Sequence, residues 1–242
     1  MAKIFMASML TNTISDDVNE ITKDIANPKI LVISSSVLYN KELFKLSCTK
    51  FFNNMGIRGT VDVVDLYLNW CYNKDEDKIR NADIVYLPGG NTFEFYYSLI
   101  MRDVFCILKE KGNEDNTVFL GTSAGSIMMG NNICIAKFAD YNSPRFDDDF
   151  ISGLNFIPIT MKPHWGSWET KIDLFDEYVK EHPKETLYCL YDGDTIFYDM
   201  NAKKSVLIDE FGNKFNISAR LYKNLRVENL DYFGDLKKMF YI

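Results

Sequence analysis

Short apolar runs alternate with stretches of helical periodicity along this chain, and that alternation restricts its fold more than any other feature. Lys3 to Ser8, Lys29 to Ser35, Val61 to Leu66, Ile84 to Leu87 and Val118 to Thr122 are nearly continuous in apolar residues. Strands buried on both faces read this way, and such strands are the parallel ones. Further strands are predicted near Ile133–Lys137, Ile157–Lys162, Thr186–Tyr191 and Ile196–Asp199. Helical periodicity fills Asp16–Ala26, Asn40–Met55, Lys74–Asn81, Thr92–Lys111 and Trp168–His182. In the second of these Leu43, Leu46, Phe51 and Met55 mark an apolar stripe, with Gly56 as C-cap; Asn91 or Thr92 caps the fourth. The expected architecture is α/β, a three-layer sandwich with a mostly parallel central sheet. With no linker and no repeat, residues 1–242 read as one domain.

One strand-to-helix junction stands out. Gly121-Thr122-Ser123-Ala124-Gly125 follows Thr117-Val118-Phe119-Leu120 and precedes Ser126-Ile127-Met128-Met129. A serine on so sharp a turn lifts its hydroxyl above the sheet edge, and only small neighbours permit the strained backbone. The helix start beyond it offers amide N–H groups to an oxyanion. A packing turn of small residues is the plainer alternative, but the strand-before, helix-after context favours a nucleophile.

A serine hydroxyl needs a base, and the chain has only two histidines. His182 lies in Lys180-Glu181-His182-Pro183, where capping a helix or standing in solvent accounts for it. His164, in Lys162-Pro163-His164-Trp165, follows a strand-like run and is the better base, since parallel sheets collect functional loops at strand ends. The acid that orients it is left open by the residues alone. Tyr191-Asp192-Gly193-Asp194 offers two carboxylates in a tight turn, and Asp140 is a third candidate. Asp83 precedes its strand and so stands at the wrong end. Leu87-Pro88-Gly89-Gly90-Asn91-Thr92 supplies a glycine pair between strand and helix, suited to close approach of amides to an anion.

Composition narrows the classes. A net charge of −7 without a basic stripe argues against nucleic acid and anionic membranes as partners. No apolar stretch reaches the ~18–20 residues of a membrane span, and the N-terminal run is too short and too lightly charged for a signal peptide. Five scattered cysteines without C-x-x-C spacing fit reduced thiols in the cytoplasm, not a disulfide frame or a zinc site. No cofactor or metal is expected. Asp140 to Asp149, with three consecutive aspartates, reads as an exposed excursion.

Three motifs occur together and in order: Leu-Pro-Gly-Gly-Asn-Thr-Phe at 87–93, Gly-Thr-Ser-Ala-Gly at 121–125 and Pro-His-Trp at 163–165. Over roughly residues 1–210 the chain resembles the aspartyl dipeptidase (peptidase E) family of serine peptidases. That resemblance implies the class I glutamine amidotransferase-like fold, Ser123 as nucleophile and His164 as base. It implies Asp192 as the acid, where the family has glutamate in a Pro-Glu-Gly turn, with Asp194 and Asp140 behind it. Beside the elbow, the residues themselves point to an oxyanion site at Gly90 and Ala124, with Gly89, Asn91 and Lys171 expected to bind substrate. In Asp-specific members an arginine within Glu-Thr-Arg receives the substrate's carboxylate; here the run is Glu169-Thr170-Lys171, and lysine lacks the two-pronged guanidinium. The expected function is hydrolysis of dipeptides or short peptides from the N-terminus by a monomer or homodimer, with N-terminal aspartate a candidate preference. The alternatives are a ligand-binding or inactive member of the same fold, a cyanophycinase-like peptidase, and a serine esterase. The esterase ranks low because its triad order is serine, acid, histidine, and no usable histidine follows Asp192.

Overall fold

The computed structural model describes residues 1–115, 117–138, 150–167 and 172–217. Its main sheet has the order β10-β9-β8-β1-β5-β4-β2-β3. Five of these strands are parallel: β1 (Lys3–Ala7), β2 (Lys29–Ile33), β3 (Thr60–Val64), β4 (Ile84–Leu87) and β5 (Val118–Thr122). β6 (Thr160–Lys162) and β7 (Leu187–Cys189) form a separate parallel pair. β8 (Thr195–Asp199), β9 (Lys204–Ile208) and β10 (Lys214–Ile217) complete the main sheet in antiparallel fashion.

The apolar runs are strands because both faces of the sheet are covered. Ile4, Met6, Leu31, Ile33, Val85, Leu87 and Phe119 point into one core, and Phe5, Ile30, Val32, Ile84, Tyr86, Val118 and Leu120 into the other. Helices α1 (Ser15–Ile21) and α2 (Lys41–Asn54) cover the second face. On the first lie α3 (Tyr72–Arg80), α4 (Thr92–Met101), α5 (Val104–Lys111), α6 (Ala124–Met129) and α7 (Ile172–Glu181). The α/β expectation with a mostly parallel central sheet therefore holds. Among the described residues no helix is long and apolar enough to cross a membrane.

Several local expectations need correction. Ile133–Lys137 is not a strand: Cys134–Phe138 is a 3-10 turn, begun where the Asn132 side chain accepts hydrogen bonds from the Cys134 and Ile151 amides. The predicted helix Thr92–Lys111 is two helices, broken at Asp103 in the left-handed region (φ 58°). Arg102, at the break, donates through Nε to the Leu66 carbonyl, which ties that corner to the loop after β3. On α2 the core stripe runs through Phe44, Cys48, Phe52 and Met55, whereas Leu43 and Leu46 are 59% and 50% exposed. The last-named pair of the anticipated stripe, Phe51 and Met55, does pack inward. The aspartate excursion at 140–149 and the helix start at 168–171 lie outside the described residues.

Candidate active site

The carboxyl ends of β1 and β5 lie side by side, with Ala7 opposite Thr122. Because β8 runs antiparallel to β1, its first residue Thr195 also sits against Ala7, so the turn before β8 reaches the same edge. β6 and β7 end together too, Lys162 opposite Cys189, and the segments leaving them carry His164 and Asp192. The topology thus delivers three separate chain segments to one corner of the sheet.

Ser123 occupies that corner in a strained conformation, φ 51° and ψ −114°. Such a residue costs about 1–3 kcal/mol and persists only where its surroundings fix it. The fixing groups are visible. The Ser123 amide and the Ser126 hydroxyl both donate to the Ala7 carbonyl, at 3.1 and 2.8 Å. Gly125 passes so close to β4 that a Cβ there would stand 1.8 Å from the Leu87 carbonyl oxygen, so no other residue fits.

His164 is likewise in the left-handed region, φ 57°. Its amide donates to Ser8 Oγ (2.8 Å), its carbonyl accepts from the Ser167 amide, and the next amide, Trp165, donates to Leu190. The ring is held at both nitrogens: Nδ1 is 2.6 Å from Asp192 Oδ1 and Nε2 is 3.0 Å from Ser123 Oγ. An ionised carboxylate only accepts, so Nδ1 carries hydrogen, and in the neutral ring Nε2 is left to accept from the serine hydroxyl. That arrangement can withdraw a proton from Ser123 as its oxygen attacks a carbonyl.

Asp192 sits on a β-turn in which the Asp194 amide bonds the Tyr191 carbonyl and Gly193 takes φ 100°, a position that favours glycine. The Asp192 side chain is 51% exposed and is steadied by Ser8 Oγ, which donates to Oδ1 at 2.7 Å. Asp194, 4% exposed, has its carbonyl bonded to the Ser8 amide. Asp192, not Asp194, is the carboxylate against His164. Asp83 is spent elsewhere, accepting from the Lys29 amide at 2.8 Å. Asp140 and Lys171 lie outside the described residues.

The glycine pair borders Ser123. A Cβ on Gly89 would lie 3.3 Å from Ser123 Cβ, and one on Gly90, φ 152°, would lie 2.8 Å from Ser35 Oγ. Gly89 also accepts from the Ser35 hydroxyl through its carbonyl, which anchors this loop to the end of β2. Ala124, at the first position of α6, is buried. Asn91 caps α4, its Oδ1 accepting from the Phe93 and Glu94 amides at 3.1 and 3.0 Å.

His182 is neither solvated nor near this constellation in its bonding. It ends α7 with its ring packed on Tyr178 and Nδ1 3.1 Å from Glu185, and it is 15% exposed. Glu185 gathers Asn132, Thr160 and Tyr178 as well, all at 2.7–2.9 Å. Burial, and then the Glu185 charge, push the Tyr178 hydroxyl far above its usual range, so it remains a donor. Among the described residues no group of three or more His, Cys, Asp or Glu side chains could hold a metal ion. Cys48, Cys71, Cys106, Cys134 and Cys189 are all thiols.

Ser8 is the site residue that sequence reasoning missed. Its only signal was a hydroxyl closing an otherwise apolar first strand.

The chain is 25% identical to a peptidase E of Shewanella denitrificans over 126 residues, 49% of this chain and 52% of that protein. It is 24% identical to a peptidase E of Shewanella baltica strain OS185 over 142 residues, 56% and 57% of the two chains. The chain thus spans about half the length of the curated relatives it matches. A crystallised Listeria monocytogenes EGD-e protein named for peptidase E superposes with a TM-score of 0.61 at 19% identity, covering 90% of this chain and all of that one. A peptidase from an acI-B1 actinobacterium gives 0.52 at 10% identity, covering 91% and 96%. These two likenesses bear on the fold. The sequence model described as peptidase family S51 matches residues 5–206, and the chain belongs to that family.

Proposed function

We propose that the chain is a serine peptidase that removes an N-terminal residue from dipeptides or short peptides. One observation carries the reading: His164 bridges the Ser123 hydroxyl at 3.0 Å and the Asp192 carboxylate at 2.6 Å, on a strained elbow at the carboxyl ends of the strands. In this mechanism Ser123 Oγ attacks the scissile carbonyl while His164 Nε2 takes its proton. Asp192 holds the ring and stabilises its charged form, and His164 then returns the proton to the leaving amine. Water repeats the sequence on the acyl-enzyme. The oxyanion would be met by the amides of Gly90 and Ala124, with Gly89 backing the nucleophile and Asn91 fixing the loop through its cap on α4. No cofactor takes part in these steps. The buried thiols of Cys48, Cys134 and Cys189 suit a reducing cytoplasm.

Lys171 is assigned the choice of first residue. Its ammonium would attract an acidic side chain as a point charge, with less directional preference than arginine.

Reaction with a fluorophosphonate followed by mass spectrometry tests the nucleophile. An adduct on Ser123 and a fall in peptidase activity of about 10⁴-fold in Ser123→Ala are expected; an alanine variant with near-normal activity refutes the mechanism. A panel of Xaa-Leu dipeptides bearing Asp, Glu, Asn or Ala first then tests selection. Lys171→Arg should sharpen a preference for Asp and Lys171→Ala should abolish it, whereas identical profiles remove Lys171 from the pocket.

A further inference from the structure

We propose that Ser8 is a positioning residue that aims Asp192 at His164, the one group among the described residues that joins the base's backbone to the acid's side chain. The inference rests on the serine-peptidase reading above.

The case is geometric. Ser8 is fully buried at the end of β1, next to the elbow strand. It makes three links to the far side of the site. Its amide donates to the Asp194 carbonyl at 3.1 Å, its hydroxyl donates to Asp192 Oδ1 at 2.7 Å, and its oxygen accepts the His164 amide at 2.8 Å. The sense of this relay is fixed by chemistry. The His164 amide can only donate and the carboxylate can only accept, so the hydroxyl proton points at Asp192.

Asp192 needs such a partner. Its side chain is half exposed, and burial alone does not choose its rotamer. Side-chain entropy and water compete for the carboxylate, and a hydrogen bond to a charged group is among the stronger restraints available. The bond falls on Oδ1, the same oxygen that accepts from His164 Nδ1. One hydroxyl therefore sets the acid's aim and, through the His164 amide, the strained backbone that presents the base. Among the described residues Ser8 makes no hydrogen bond to Ser123, so its contribution passes through Asp192 and His164.

The test measures the reaction of Ser123 with a fluorophosphonate in the full chain, resolving binding from chemistry, for wild type, Ser8→Ala, Asp192→Asn and the double variant. Ser8→Ala should slow the chemical step by about 10- to 100-fold, the equivalent of one charge-assisted hydrogen bond, while probe affinity holds. The double variant should react within about threefold of Asp192→Asn alone, because coupled groups are not additive. Ser8→Cys, which keeps the volume but replaces the hydroxyl by a weak donor, should repeat the loss if the alanine variant folds poorly. Wild-type rates in the Ser8 variants, or a full additional loss on top of Asp192→Asn, overturn the inference while leaving the mechanism standing. A wild-type protein that takes no adduct at Ser123 overturns the mechanism and this role with it.

Discussion

Ser123 and Asp192 flank one imidazole ring yet are held by opposite means. On the nucleophile side Ser123 is locked by backbone: Ala7 receives two hydrogen bonds from the elbow, and Gly125 leaves no room against Leu87. On the acid side Asp192 projects into solvent from a four-residue turn and is aimed by one hydroxyl. The contrast teaches that a site can divide its demands. The strained group is fixed by close packing, which tolerates no substitution, and the orienting group is fixed by polar bonds, which can be tuned one at a time.

Glycine substitutions should expose the contrast most strongly. Gly125→Ala places a methyl group inside contact distance of the Leu87 carbonyl, and a loss of at least about 3 kcal/mol is expected in urea unfolding, with no labelling of Ser123. Gly193→Ala meets Glu210 Cβ at 2.7 Å and strains a positive φ, for a smaller loss of about 1–2 kcal/mol. Equal losses at the two positions would erase the distinction.

The two aspartates of the turn should separate activity from stability. Asp192→Asn is expected to slow labelling of Ser123 by about 10²- to 10⁴-fold at an unchanged melting temperature, as an amide cannot stabilise the charged ring. Asp194→Asn, at a buried position, should cost about 1–3 kcal/mol of stability and leave labelling within tenfold. The reverse ranking transfers the acid's role to Asp194.

The smallest effect belongs to the seam between the two sides. Lys3 and Asp199 are register partners at the far end of the β1–β8 pair and form an ion pair there. Burial acts to raise the Asp199 carboxyl, but the hydrogen bond from Lys3 and the amides of Ala202 and Asn201 outweigh it and hold it below the usual carboxylate range. A carboxyl depressed in the folded state adds stability above its unfolded pKa, and that stability fades as pH falls through the folded value. Asp199→Asn should therefore lower stability at neutral pH by up to about 1 kcal/mol and flatten its acid dependence. An unchanged acid limb in urea titrations would mean the seam is held by the strand ladder alone.

How much of this was legible follows the same division. The parallel strands could be read because both faces are buried, so Lys29 to Ser35 or Val118 to Thr122 leaves little other choice. Ser123 and His164 could be read as candidates at strand ends, and the structure brings them within hydrogen-bond distance. Ile133–Lys137 misled because a buried apolar run is compatible with any backbone, and the Asn132 side chain, which turns the chain there, acts on residues the pattern does not weigh. The break at Arg102 and Asp103 carries no glycine or proline, and a tertiary bond from Arg102 to Leu66, which no local pattern signals, is made there. Leu43 and Leu46 sit at helical spacing, but the sheet meets the neighbouring stripe through Cys48 and Phe52. Asp192 could not be told from Asp194 by the residues alone, because antiparallel insertion of β8 beside β1 decides which carboxylate faces the base.

That insertion also sets a timetable. Ser8 and Asp192 are 184 positions apart, and His164 follows Ser123 by 41. Chains are made and fold from the amino terminus, and contacts between distant positions close late. A growing chain that has exposed Ser123 still lacks its base, and one that has exposed His164 still lacks the strand that brings the acid. On the proposed mechanism the Ser123 hydroxyl gains its reactivity only when the end of the first strand meets a turn translated nearly two hundred residues later.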